Sequence, residues 1–325
     1  MSAFDVFLLC AGLALAMLAA FSVLLVRRWW QERNRRDDDA RLAAITRSYL
    51  RRVAGHRDTE FSPAWPMETR LAAVSHIHLL LRGGERDRLM QMAELDGLLE
   101  RTLRKSHHPR AARRIGAIRL LQQFGSEACI ARLRAMFTRD TSHVVKLEAA
   151  FALAAMHALP PPRETIRILG MFDRPAKRLD SALLRASAPE YTEQLVLLLD
   201  DELPADKRAL VVDALGWSDD TAVLPILEEA AQDDGPEVRS AALRAAARLG
   251  HPSVGRWVIP MLGDPQHYVR IQAANTCARL RLPDAIVPLT AMLETDDIWV
   301  RLRAQQALET LQQDWPEMSA KGMVA

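Results

Sequence analysis

Three stretches of this chain of 325 residues repeat one pattern at one interval. EVRSAALRAAARL begins at Glu237, YVRIQAANTCARL at Tyr268 and WVRLRAQQALETL at Trp299. Each carries an arginine in its first turn: Arg239, Arg270 and Arg301. Followed backward, the series becomes Arg114, Lys146, Arg178, Arg208, Arg239, Arg270 and Arg301, with intervals of 32, 32, 30, 31, 31 and 31. An alanine-rich amphipathic stretch follows each basic residue, as in HVVKLEAAFALAAM. Second apolar segments with their own breaks lie between them, such as PSVGRWVIPML. The unit is helix, turn, helix. One such pair cannot bury its apolar face alone, so a fixed period of this length predicts stacking into an α-solenoid.

An acidic residue stands five or six positions before many of the basic ones: Asp140, Asp173, Asp234, Asp264 and Asp296. The segment 162–187 fits the repeat least, since LPPPRETIRILGMF is short and no valine precedes Arg178. An irregularity is expected there. No strand-period pattern is visible, and the soluble part is expected to be all-α.

The recurrent V-R-x-x-A-A core resembles the HEAT-repeat family, including the short HEAT-like repeats of phycobilin lyases. The resemblance covers about residues 108–312, with a degenerate earlier unit at METRLAAVSHIHLLLRG around Arg70. It implies about seven HEAT-like helix pairs. It also implies a structural ladder, in which the basic residue of each unit bonds an acidic residue of its own or the neighbouring turn. Burial of the aliphatic stem with a satisfied guanidinium fits that role. The HEAT-like diiron hydroxylases repeat a His-Glu pair, and none occurs here. No HExxH, CxxC, GxSxG or phosphate loop is present either, so no metal, cofactor or catalytic residue is expected.

Residues 6–26, VFLLCAGLALAMLAAFSVLLV, contain one polar residue, Ser22. As a helix they span about 31 Å, the thickness of a bilayer's hydrocarbon core. Only Asp5 precedes the run as a charge, whereas Arg27, Arg28, Arg33, Arg35 and Arg36 follow it. Arginine stays on the cytoplasmic side, so a single-pass anchor in a bacterial inner membrane is expected, with the N-terminus outside and the body inside. Arg27, Arg28, Trp29 and Trp30 would lie at the interface, and Gly12, Ala16 and Ala20 form a small-residue stripe suited to helix packing. The expected organisation is 1–30 anchor, 31–65 charged juxtamembrane helix and linker, 66–312 solenoid, and 313–325 tail.

The net charge of +2 hides an asymmetry: residues 200–325 carry 20 Asp+Glu and 12 Lys+Arg, a net of −8, and the remainder carries +10. Residues 101–119 hold seven basic residues and no acid. Anionic lipid headgroups or a protein partner suit this patch, and the absence of interleaved aromatics argues against nucleic acid.

Aligned on their basic residue, the last three units place polar residues two, five and nine positions further on: Gln272 and Arg303; Arg244, Asn275 and Gln306; Arg248 and Arg279, with Thr310. In a stack these form a ridge, expected on the concave face, that can grip an acidic or extended segment. The expected function is a membrane-tethered scaffold that holds a partner protein, for instance a membrane enzyme such as an envelope glycosyltransferase. A lyase-like activity of the phycobilin-lyase type, or nucleic-acid binding through the basic N-terminal half, are the alternatives.

Overall fold

The computed structural model describes residues 17, 21–22, 27–28, 38–56, 61–62, 64–294 and 297–321, with side chains to 312 in the last stretch. Among these, secondary structure is entirely helical. No helix among them is long and apolar enough to cross a membrane. Gly12, Ala16, Ala20, Trp29 and Trp30 lie outside the described residues, as does nearly all of the run 6–26. Arg27 and Arg28 are described, as exposed helical residues. The chain divides into two compact units, Met1–Ser126 and Glu127–Ala325.

The first unit contains α1 (38–53), α2 (Met67–Leu80), α3 (Gly84–Leu95), α4 (Leu98–Lys105) and α5 (Ala111–Phe124). In α1, Leu42, Ile45, Tyr49 and Val53 fall on one helical stripe. The last three are buried in a single core with Leu71, Val74, Ile77, Leu89 and Leu98. The segment expected to be a juxtamembrane helix and linker therefore supplies core residues, and the boundary expected at 65 does not separate it from the helices that follow. Asp96 ties this unit's polar centre together. It accepts from the Tyr49 hydroxyl (2.8 Å) and from Arg52 Nη1 (2.8 Å), and it pairs with Arg70 Nη2 at 3.0 Å. Arg52 also lies 4.2 Å from the Phe61 ring centroid.

The second unit contains α6 (Glu127–Arg139), α7 (His143–Ala155), α8 (Pro162–Leu169), α9 (Arg178–Leu199), α10 (Ala205–Leu215), α11 (Leu224–Ala230), α12 (Pro236–Leu249), α13 (Gly255–Val258), α14 (His267–Arg279), α15 (Ile286–Ala291) and α16 (Ile298–Lys321). The helices that bear the repeat's basic residue pack in series: α9 on α10, α10 on α12, α12 on α14, α14 on α16. Their buried faces are largely alanine, valine and leucine, which lets neighbours approach closely. The intervening segments are shorter, and three are broken by 3₁₀ turns at 221–223, 252–254 with 260–263, and 283–285 with 292–294.

One backbone feature recurs with the period. A left-handed residue stands eleven positions after the basic one: Gly125, His157, Asp219, Gly250 and Arg281, with φ between 51° and 74°. It ends the helix. At His157 and Arg281 the next amide closes a Schellman-type bond, Ala158 N–H to Leu153 C=O and Leu282 N–H to Cys277 C=O. Eleven positions after Arg178 stands Pro189, whose ring fixes φ near −65° and forbids that stop. There α9 runs on to Leu199, broken only at Tyr191 (φ −132°, ψ 34°). The break lies just past 162–187, the segment in which the sequence leads us to expect a local change in solenoid curvature.

Candidate binding face of the second unit

The ladder positions come first, because they hold the helices that carry the face. Arg239 donates through Nε and Nη2 to both oxygens of Asp264 (2.8 and 2.9 Å), and through Nη1 to the carbonyls of Asp233 and Asp234 (2.9 and 3.0 Å). Arg208 grips Asp233 in the same way (2.9 and 2.7 Å) and also bonds the Leu203 carbonyl. Each arginine thus holds the carbonyls of its own turn and the carboxylate of the next. That carboxylate also shapes the turn before the helix, since Asp233 Oδ1 accepts from Gly235 N–H (2.7 Å) and Asp264 Oδ1 from Gln266 N–H (2.8 Å). Burial pushes the Asp264 carboxyl up, but the Arg239 hydrogen bonds and the Gln266 N–H outweigh it and hold it below the usual carboxylate range. Asp233 behaves likewise with Arg208 and Gly235.

Arg270 holds the carbonyls of Asp264 (2.7 Å) and Pro265 (3.1 Å), and Arg114 those of His108 (2.9 Å) and Pro109 (2.8 Å). Arg301 is half-buried in the first turn of α16. Lys146 is half-buried and makes no side-chain hydrogen bond or ion pair among the described residues.

Three ladder expectations are corrected. Asp234, the acidic residue expected to serve Arg239, offers only its carbonyl, as Asp233 does, and the carboxylate that Arg239 grips is Asp264 of the next turn. Asp173 is exposed and takes no ladder bond among the described residues. Arg178 is exposed at the start of α9, and its expected place is filled four residues earlier. There Arg174 makes a two-pronged bond to the buried Asp180 (2.7 and 2.8 Å), and the Lys207 ammonium donates to the Arg174 carbonyl.

Further along the same helices lies the face. Asp213 of α10, 6% exposed, accepts from Arg185 Nε of α9 (2.6 Å) and from Arg244 Nε of α12 (2.8 Å). Arg244 Nη1 also donates to Ser240 Oγ (3.0 Å). One turn on, the Arg248 guanidinium lies 3.1 Å from the Trp217 ring centroid, and Arg185 lies 5.6 Å from the same centroid. The close approach of α10 to α12 makes this possible: a Cβ on Gly216 would stand 2.5 Å from the Ala245 Cα. Asn275 and Gln272 of α14 are half-buried, and Arg279 is exposed; none of the three side chains has a hydrogen-bond partner among the described residues. On α16, Arg303 Nη1 donates to Gln306 Oε1 (3.0 Å).

The expected ridge therefore has two kinds of member. Arg244, expected to stand clear for a partner, is braced by Asp213 and Ser240. Arg248 is stacked but keeps all its N–H donors unbonded among the described residues. Sequence reasoning missed Arg185, Asp213 and Trp217. The signal for two of them was present, since five and nine positions after Arg208 stand Asp213 and Trp217. Arg185 follows no such offset, standing seven positions after Arg178.

The face is basic on an acidic body. Residues 127–325 carry 22 Lys+Arg and 28 Asp+Glu, a net of −6. Arg185, Arg244 and Arg248 meet around Asp213 and Trp217, and Arg279 and Arg303 stand further along the chain, on α14 and α16. In the first unit the basic stretch 101–119 is partly engaged: Arg104 pairs with Glu100 (2.9 Å), Lys105 with Glu68, and Arg114 with carbonyls. Among the described residues no group of three His, Cys, Asp or Glu side chains could hold a metal ion.

A family model described as HEAT repeats matches residues 231–309, the stretch from just before α12 into α16. No curated protein matches the chain. Solved structures with a similar course include human deoxyhypusine hydroxylase in complex with glycerol, with 17% identity over 86% of this chain and 99% of that one, TM-score 0.34. An engineered protein shares 19% identity over 66% and 96%, TM-score 0.32. The complex of CpcE and CpcF of phycocyanin lyase from Nostoc sp. PCC7120 shares 16% over 66% and 94%, TM-score 0.35. At that level of likeness these structures say nothing about function. Among its described residues the chain is all-helical and repeat-like, and its stretch 231–309 is similar to HEAT repeats.

Proposed function

We propose that this protein is a non-catalytic scaffold, tethered by its N-terminal apolar run to a bacterial inner membrane, that holds a partner protein through the arginine face of the second unit on the cytoplasmic side. One observation carries the reading: Arg185, Arg244 and Arg248 gather around Asp213 and Trp217 in a unit whose net charge is −6. Such segregation costs self-repulsion unless an acidic surface comes to meet it. Two of the arginines are held in place by Asp213, so less side-chain freedom is lost on binding. The anchor is supported by 21 nearly unbroken apolar residues with arginines on one flank. HEAT repeats present long continuous surfaces, which suit a protein partner.

The experiment is affinity purification of the full chain in mild detergent. Reversal of Arg248, Arg279 and Arg303 to Glu should abolish recovery of the native partner. A control triple, Glu229, Asp284 and Glu294 to Lys, changes exposed residues of the intervening segments and should spare it. Recovery lost only with the control triple would move the binding surface to the opposite side. A reporter active only in the periplasm, fused after Ala325, should stay silent; strong activity would overturn the orientation.

A further inference from the structure

We infer that the occupant of the arginine face is an extended acidic polypeptide segment with an acidic residue at every third position, and this rests on the scaffold reading above. The spacing comes from the fold. Arg248 and Arg279 occupy the same offset, nine residues past Arg239 and Arg270, on neighbouring helices α12 and α14. Packed helices stand about 8–10 Å apart. An extended chain of the polyproline II type advances about 3.1 Å per residue with about three residues per turn, so one repeat corresponds to about three ligand residues and returns the side chain to the same face. A helical ligand rises only about 1.5 Å per residue and would need its acids about seven residues apart.

The side chains divide into charge-reading and backbone-reading groups. Stacking on Trp217 fixes the Arg248 guanidinium, whose N–H donors are all unbonded among the described residues. Arg185 reaches the same ring from the other neighbouring helix, and Asp213 ties it to Arg244. These three arginines against one carboxylate make a cationic node at one end of the track, and Arg279 is the next step along it. One and two turns back along α14 from Arg279 stand the amides of Asn275 and Gln272, half-buried and without side-chain partners among the described residues. A side-chain amide offers a donor and an acceptor together, which matches the peptide groups of an extended chain. Its backbone would be free for this, whereas a helix uses its own backbone groups internally.

The test is fluorescence anisotropy on the full chain in mild detergent. The probes are labelled glycine–serine peptides of equal charge. In one, glutamate recurs at every third position; in another the glutamates are contiguous; a third is an alanine-rich helical peptide with glutamate at every seventh. The every-third peptide should bind about tenfold tighter than the other two, a difference near 1.4 kcal/mol. The paired variants Arg248→Glu, Arg279→Glu and the milder Arg248→Gln, Arg279→Gln should lose that preference while the thermal midpoint stays within about 2 °C of the parent. Equal affinity for the contiguous peptide, or tighter binding of the helical one, overturns the inference. If reversal of the arginines still abolishes recovery of the native partner, the scaffold reading stands and only the extended segment falls. If the partner is recovered undiminished, both fall.

Discussion

Asp264 does two things at once. Its Oδ1 shapes the turn before α14 through Gln266 N–H, and both its oxygens receive Arg239 from the preceding unit. Removing the arginine leaves a carboxylate that is only 7% exposed without its cation, and two turn carbonyls without their donor. Arg239→Ala should therefore cost about 2–4 kcal/mol of unfolding free energy, within the range for breaking a buried pair. Arg178→Ala, at the exposed start of α9, should change it by about 0.5 kcal/mol or less. Chemical denaturation of both variants checks the pair of values, and equal losses would remove the distinction drawn between the two positions. The periodic arginine was legible in the sequence because it recurs within a recognisable local pattern. Its carboxylate partner was less so. Asp264 lies 25 residues downstream of Arg239, closer in sequence to Arg270, and only stacking reveals which arginine it serves.

At the scale of the helix, the stop matters as much as the start. Two of the five left-handed positions are glycine, a residue that commonly ends helices, and these were readable in principle. The others are His157, Asp219 and Arg281, whose identities give little warning of positive φ. The break in α9 was foreshadowed only as a poor repeat, and its cause is now specific: Pro189 occupies the stop position and cannot adopt the stop conformation. The same account makes Gly250→Val costly, by about 1–2 kcal/mol, because a β-branched side chain must then sit at φ 74°. Asp219→Gly relieves the milder strain at φ 54° and should raise the thermal midpoint. Differential scanning calorimetry of the two variants should show opposite shifts; shifts of the same sign would refute the role given to this position.

Over the whole molecule, the all-helical repeat character was legible from periodicity alone, and the ridge was partly legible from fixed offsets. The participation of α1 in the first core was not, because RNRRDDDARLAAITRSYLRRV reads as a charged surface helix. Its Ile45–Tyr49–Val53 stripe shows its value only beside α2 and α3. Stability should depend on pH in both units. Burial pushes the Asp96, Asp180, Asp233 and Asp264 carboxyls up, yet their arginine partners prevail and hold all four below the usual range. Their contribution is fully present above the unfolded value near pH 4 and is lost as pH falls through the lower folded values. Denaturant midpoints should thus be flat from about pH 7 to 5 and drop below about pH 4; no drop there would contradict the lowered carboxyls. In the alkaline direction, burial and the Asp96 hydrogen bond raise the Tyr49 phenol to about 12. Its contribution holds below about pH 10 and disappears as the pH rises towards the folded value. The bidentate arginine–aspartate ties have a mechanical corollary. They clamp successive helices α10, α12 and α14 near their N-terminal ends, while Arg248 and Arg279 stand nine residues on, about 13 Å along the axis. Arg244 to Asp213, and Thr276 to the Leu243 carbonyl, tie the same helices again further along, so successive helices are stitched at two levels, and bending of the second unit must strain both seams together, like pages sewn twice.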